Sequence, residues 1–327
     1  MGTRPCVVAI VAALSTALLA ADLGAQSPGK AARIGFLHPG TPPNANVDVF
    51  RRALREIGYL EGQNIAIEFR WADGQLERLP RLAAELVDLK ADVIVVGSTP
   101  AIKAVARATR TIPIVMTVVA DPVADGLVKS LAQPGGNITG LTLVSPELSG
   151  KRIELLKEAM PRLARLAVLW NPNTPAHIGT LRDCEATART LGLQIVPVEA
   201  RRVADLEPAL ATAARERASA LFVLDDTFLF IERERITELG LRHRLPLLSG
   251  ISGYADVGAL LTYGASQAEL HRRAALIVDR ILKGARPATL PIEQPSSFEL
   301  VLNLKIAKAF GLVIPESVLL RADRLIE

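Results

Sequence analysis

The chain has 327 residues, half of them hydrophobic and 22 % charged, with a formal net charge of +4 and two cysteines. So apolar a composition excludes a disordered chain, and a length above 300 exceeds what one hydrophobic core usually serves, which points to two lobes. Basic residues come at most in pairs (Arg51-Arg52, Arg201-Arg202, Arg272-Arg273) and 232–235 alternate in sign, a pattern of solvated helix faces that argues against a nucleic-acid partner.

Arg4 precedes an apolar run over 6–21 that Asp22 closes, and Leu23-Gly24-Ala25 places a small residue before Gln26. These are the three parts of a secretory signal peptide, whereas an anchoring helix needs about 20 apolar residues. Residues 1–25 are therefore read as a cleaved leader, and the mature protein as soluble and periplasmic. Cys6 opens the apolar run, where a lipoprotein cysteine would follow it. Cys184 alone remains, so no internal disulfide is expected.

Residues 33–37 read as a short strand ending at His38-Pro39-Gly40, and Phe50, Ala53, Leu54 and Ile57 as one helix face closed by Gly58. A strand over 65–71, a helix carrying Leu76, Leu79, Leu82, Ala83, Leu86 and Leu89, and a buried strand over 92–96 follow. Thr99-Pro100 opens a helix, 112–119 is a fourth strand, another helix precedes Pro134-Gly135-Gly136-Asn137, and 138–144 is a fifth strand. The alternation then restarts. Ser149 caps a helix, strands fall at 166–170, 195–198, 221–224 and from 247, and helices at 174–191, 205–217 and 231–244. A strand over 258–264, a long helix over 267–284, a Pro-rich link over 287–295 and a strand over 298–302 close the reading. The fold class is α/β, with two doubly wound parallel sheets. A change of lobe is read near Ser145-Pro146.

Open parallel sheets bind ligands beyond the carboxyl ends of their strands, where helix N-termini present free N–H groups. Ser98 and Thr99 follow the third strand, as carboxylate-binding hydroxyls or as a plain cap. Asp121 follows the fourth strand, as partner of a ligand ammonium or as a cap. Asn171 follows the first strand of the second lobe, beside a capping Thr174. Asp226, in the pair Asp225-Asp226, interrupts an apolar stretch and suits a cationic group. Tyr254 and Tyr263 flank the last crossing, as stacking partners or as core. Catalytic signals are thin: His38, His177, His243 and His271 lack metal-ligand spacing, Cys184 shares a helical face with Ile178, Leu181 and Leu191, and no phosphate-loop, dinucleotide or nucleophile-elbow motif is present. No cofactor or metal is expected.

Several segments together resemble one family: RIGFLHPG, FRRALREIGYLEGQNIAIEFRWADG, RLAAELVDLKADVIVVGSTPA, IPIVMTVVADPV, GLVKSLAQPGGNITGLT, LAVLWNPNTP, LTYG and FELVLNLKIAKAFGL. The chain is similar, from about Arg33 to Glu327, to the ABC-transporter solute-binding proteins that include the tryptophan-binding TrpX type. The resemblance implies a type I periplasmic-binding fold whose two lobes close on a small solute and deliver it to a membrane permease. It implies three crossings, near 145, 258–264 and 287–295, between a first lobe of 33–145 with 265–287 and a second of 146–258 with 296–327. A monomer is expected. The resemblance also implies Ser98 and Thr99 on an anionic group, Asp121 and Asp226 on polar or cationic groups, and Asn171 and Tyr254 from the second lobe. Ser252 or Gly253 stands where the family commonly has an arginine, and Gly258-Ala259 where it has a glycine pair. An amino-acid-like solute, possible aromatic ones included, fits hydroxyls and aspartates. Two rival readings stand: an exported partner of a sensor, and a racemase- or isomerase-type enzyme, which would normally need two facing thiols.

Overall fold

The computed structural model describes residues 31–143 and 145–327, with side chains at 145–147 left aside; the leader read over 1–25 lies outside the described residues. The first part of the chain runs β1 (Ala32–His38), α1 (Ala45–Glu56), β2 (Ile65–Trp71), α2 (Leu79–Asp88), β3 (Val93–Val96), α3 (Thr99–Ala108), β4 (Ile114–Met116) and β5 (Ile138–Gly140). These strands form one sheet in the order β2-β1-β3-β4-β5, with every neighbour parallel. β3 is Val-Ile-Val-Val and buried throughout, as a central strand covered by helices on both faces must be.

The second part runs α4 (Ser145–Ala159), β6 (Arg165–Trp170), α5 (Ala176–Thr190), β7 (Gln194–Glu199), α6 (Val203–Arg215), β8 (Ala220–Val223), α7 (Thr227–Ile231), α8 (Arg233–Arg242), β9 (Leu247–Ser249), α9 (Gly253–Asp256) and β10 (Leu261–Ala265). After α10 (Gln267–Leu282) come β11 (Phe298–Asn303), α11 (Leu304–Ala309), α12 (Glu316–Leu319) and β12 (Arg324–Ile326). The second sheet has the order β12-β11-β10-β9-β8-β6-β7, parallel except where β11 runs against β10. Each sheet has a separate apolar layer on each face. Two doubly wound lobes result.

Three segments cross between the lobes and lie side by side. The first joins β5 to α4. The second falls at Ser266, between β10 and α10, later than the expected 258–264, because 261–265 pairs fully into the second sheet. The third follows Glu293, whose N–H donates to Gly140 O at 2.9 Å while Thr142 N–H donates to Glu293 O at 3.1 Å. Residues 287–293 thus edge the first sheet, and the link proper is 294–297.

Four local expectations change. Residues 121–131 form turns instead of a helix, with Pro122 near the start and Gly126 at φ 69°. α4 begins at Ser145, four residues ahead of the expected cap Ser149, and the charged helix expected over 231–244 is the shorter α8, with the separate helix α7 ending at Ile231 before it. The Thr174 hydroxyl donates to Asp226 Oδ2 at 2.6 Å rather than capping α5. Among the described residues no helix is long and apolar enough to cross a membrane.

Candidate functional site

A cleft of about 600 Å³ opens between the carboxyl ends of the two sheets. The first lobe lines it with the turns after β1 and β3 and with Asp125, the second with the turns after β6 and β8 and with Phe230 and Arg233, and α10 adds Gln267 and His271. This is the crevice that two facing parallel sheets create.

On the first-lobe wall, Ser98 caps α3, its backbone extended at φ −164° and its hydroxyl oxygen accepting Ala101 N–H at 3.4 Å. That oxygen keeps its own O–H to donate. Thr99 Oγ1 donates to Asp125 Oδ2 at 3.1 Å, and the Lys103 ammonium stands 3.9 Å from Asp125 Oδ1. The Asp125 side chain is 1 % exposed and its Oδ1 has no hydrogen-bond partner. Burial pushes its carboxyl above the usual aspartate value, partly countered by the Lys103 charge and the Thr99 bond. A ligand cation would satisfy this oxygen.

On the second-lobe wall, Asp226 is held from three sides: Leu229 N–H donates to Oδ1 at 3.0 Å, the Thr174 hydroxyl to Oδ2, and Asn171 Nδ2 lies 3.3 Å from both oxygens. Asn171 is itself fixed by its N–H donating to His177 Nδ1 at 3.0 Å, which leaves His177 Nε2 to donate to Asp225 O at 3.2 Å. Beneath the wall, Arg152 pairs with Asp225 at 3.1 Å and donates from Nε to Tyr263 O at 2.7 Å. Phe230 presents its ring to the cleft with the Arg233 guanidinium stacked 4.7 Å from its centroid.

The cleft therefore gathers Ser98, Thr99 and Asp226 on its surface, with Asn171 buried behind Asp226 as its support. Asp121 is not at the cleft; its Oδ1 accepts Val123 N–H at 3.0 Å and Ala124 N–H at 2.9 Å, capping the turn that delivers Asp125. Tyr254 is 1 % exposed, donates to Leu229 O at 2.7 Å and meets Phe230 edge-on at 6.0 Å. It backs the wall as core. Asp125, Phe230 and Arg233 were not singled out from the sequence, and the two cleft imidazoles His38 and His271 entered only as unsuited to a metal. Cys184 is fully buried in the second-lobe core, where burial pushes its thiol up to about 12, which removes it as a nucleophile. No His, Cys, Asp or Glu cluster among the described residues is arranged to hold a metal.

A tyrosine-binding protein of Clostridioides difficile (strain R20291) is 28 % identical to this chain over 267 residues, 80 % of this chain and 75 % of the relative. An ABC domain from Streptococcus pneumoniae, solved in complex with L-Trp, superposes at TM-score 0.83 with 26 % identity over 91 % of this chain and 100 % of its own. A ligand-free, open substrate-binding protein with adhesive properties from Clostridium difficile superposes at 0.69 with 25 % identity over 90 % of this chain and 99 % of its own. These relatives are binding proteins with the type I periplasmic fold. Residues 38–326 match the family described as ABC transporter substrate binding protein, and the chain belongs to that family.

Proposed function

We propose that the protein is the periplasmic receptor of an ABC importer: a monomer, not an enzyme, that closes its lobes on an amino acid with an aromatic side chain and hands it to a membrane permease. The observation that carries this reading is the first-lobe wall, where opposite charges are sought within a few ångströms. The α3 N-terminus, the Ser98 hydroxyl and Lys103 suit a carboxylate, while the Oδ1 of Asp125, which accepts no hydrogen bond, suits an ammonium, with Asp226 across the cleft. Phe230, Val118, Leu143 and Ile251 supply the apolar remainder. The tyrosine-binding relative and the neighbour holding L-Trp support an aromatic solute. At nearly equal identity the superposition is better on the L-Trp complex than on the ligand-free open protein, which supports a cleft near its ligand-holding width.

The test is titration calorimetry on residues 26–327 prepared free of ligand. An aromatic amino acid binds, Asp125→Asn weakens it by about 2 kcal/mol or more, as loss of a buried charge-assisted bond does, and Asp121→Asn leaves it unchanged. Binding indifferent to Asp125→Asn sinks the head-group assignment. A panel of amino acids that neither binds nor raises the melting temperature sinks the amino-acid reading.

A further inference from the structure

The head-group wall leaves two cleft imidazoles without a role, His38 at the end of β1 and His271 on α10. Burial holds both down to about 4, His38 also by its proximity to His271, so both rings are neutral at pH 7. A neutral imidazole carries one N–H and one lone pair, and here the surroundings fix which nitrogen has which.

His38 Nδ1 accepts Gly40 N–H at 3.0 Å, so the proton is on Nε2. Asn44 Oδ1 accepts Asn46 N–H at 3.0 Å and Val47 N–H at 3.2 Å as the cap of α1, which fixes the orientation of the amide and turns its NH₂ outward. Asn44 Nδ2 then stands 3.3 Å from His38 Nε2. Both are donors, and no acceptor among the described residues is bonded to both. An oxygen about 2.9 Å from each would take both protons at ordinary hydrogen-bond length. His271 is the complement: Nδ1 donates to Gln267 O at 2.8 Å, so its Nε2 is a bare lone pair with no hydrogen-bond partner among the described residues.

Two donors and one acceptor ask for a ligand atom that accepts and donates at once. A carboxylate would face the His271 lone pair, an ammonium would face two N–H groups, and an indole N–H would satisfy His271 alone. A hydroxyl can do both, and all three residues line the same cleft. We propose that His38, Asn44 and His271 form a subsite for the phenolic hydroxyl of a tyrosine-like solute, the aromatic ring lying along Phe230, Val118, Leu143 and Ile251. The subsite rests on the amino-acid reading of the cleft and decides which aromatic side chain it prefers.

The experiment compares L-tyrosine, L-phenylalanine and L-tryptophan by calorimetry at pH 7.5, with p-cresol and toluene as ring probes that lack the head group. A site built to bond a hydroxyl rejects the analogue without it, and tyrosine is expected to bind at least about 100-fold more tightly than phenylalanine. His271→Leu, which removes the acceptor, and Asn44→Asp, which keeps the cap and removes the outward N–H, each reduce that ratio to within about threefold. Equal affinities for tyrosine and phenylalanine, tighter binding of tryptophan, or a ratio unmoved in both variants overturns the subsite and leaves the head-group reading standing. Silent amino acids with p-cresol bound and toluene unbound uphold the subsite and overturn the head-group reading. Silence from every probe overturns both.

Discussion

The Arg152–Asp225 pair gives the sharpest energetic test, because the side chains are only 2 % and 3 % exposed and the aspartate borders the cleft. Arg152→Met keeps the length and apolar body of the side chain and removes the guanidinium, taking the ion-pair partner from the buried Asp225 carboxylate and the 2.7 Å bond from Tyr263 O. Removing one member of a buried pair costs about 3–5 kcal/mol, several times the value of a surface pair. The pair packs tightly against the chain: a Cβ on Gly250 would fall 2.2 Å from Arg152 Nη2 and 2.5 Å from Asp225 Oδ1. Urea unfolding followed by circular dichroism reads the loss as a lower midpoint at constant slope. The double variant Arg152→Met/Asp225→Leu completes a cycle and should recover at least about 2 kcal/mol relative to the sum of the single variants. An Arg152→Met loss below about 1 kcal/mol, or strict additivity in the cycle, would refute the claim that this ion pair holds the cleft wall from beneath.

In Gly264→Ala the new Cβ meets Gly250 O at 1.8 Å, so the backbones of β10 and the turn after β9 must separate; a loss of about 3 kcal/mol or more in urea unfolding is expected, and a change under about 0.5 kcal/mol contradicts the close approach. His38 and His271 are held at about 4 against an ordinary 6.5, so the unfolded chain binds their protons first. Their stabilising contribution is complete above about pH 6.5, shrinks as pH falls and is gone near pH 4. Urea midpoints between pH 7.5 and 4 should therefore fall less steeply for His271→Gln than for the parent, and superimposable slopes would remove the imidazoles from the account.

Periodicity made most of the fold legible. The continuous apolar runs of β3, β6 and β8 and the helical spacing along α1, α2 and α10 left little choice, and two rounds of alternation imply two lobes. The failures have local causes. Residues 121–131 carry Leu127, Val128 and Leu131 into the core at a spacing that looks helical, yet Pro122 and the left-handed Gly126 close them as turns. α11, α12 and β12 are short and were missed for want of a full period. At the site, strand ends led to Ser98, Thr99 and Asp226, which line the cleft, because a residue just past a buried strand has only the crevice to enter. Asp125 lies nine residues beyond the end of β4, on a turn that doubles back, and nothing in its neighbours separates it from Asp121. The outward donors of His38 and Asn44 depend on which backbone N–H groups their other atoms accept, a fact of three dimensions. Tyr254 looked like a cleft aromatic by position alone, and its hydroxyl is spent on Leu229 O.

The interleaving of the lobes also governs the order in which the chain can fold as it is made. The first sheet is finished by residue 140, but the helix that covers one of its faces, α10, begins at Gln267 and supplies Leu270, Ala274, Ile277, Val278 and Ile281 to a layer shared with Val47, Phe50 and Leu54. Nearly the whole second lobe must be synthesised before that layer can close, and the second lobe in turn waits for β11. Neither lobe is an early autonomous unit, so a growing chain keeps an open apolar face until its last fifth has emerged. Through most of its synthesis such a chain exposes apolar surface that favours aggregation.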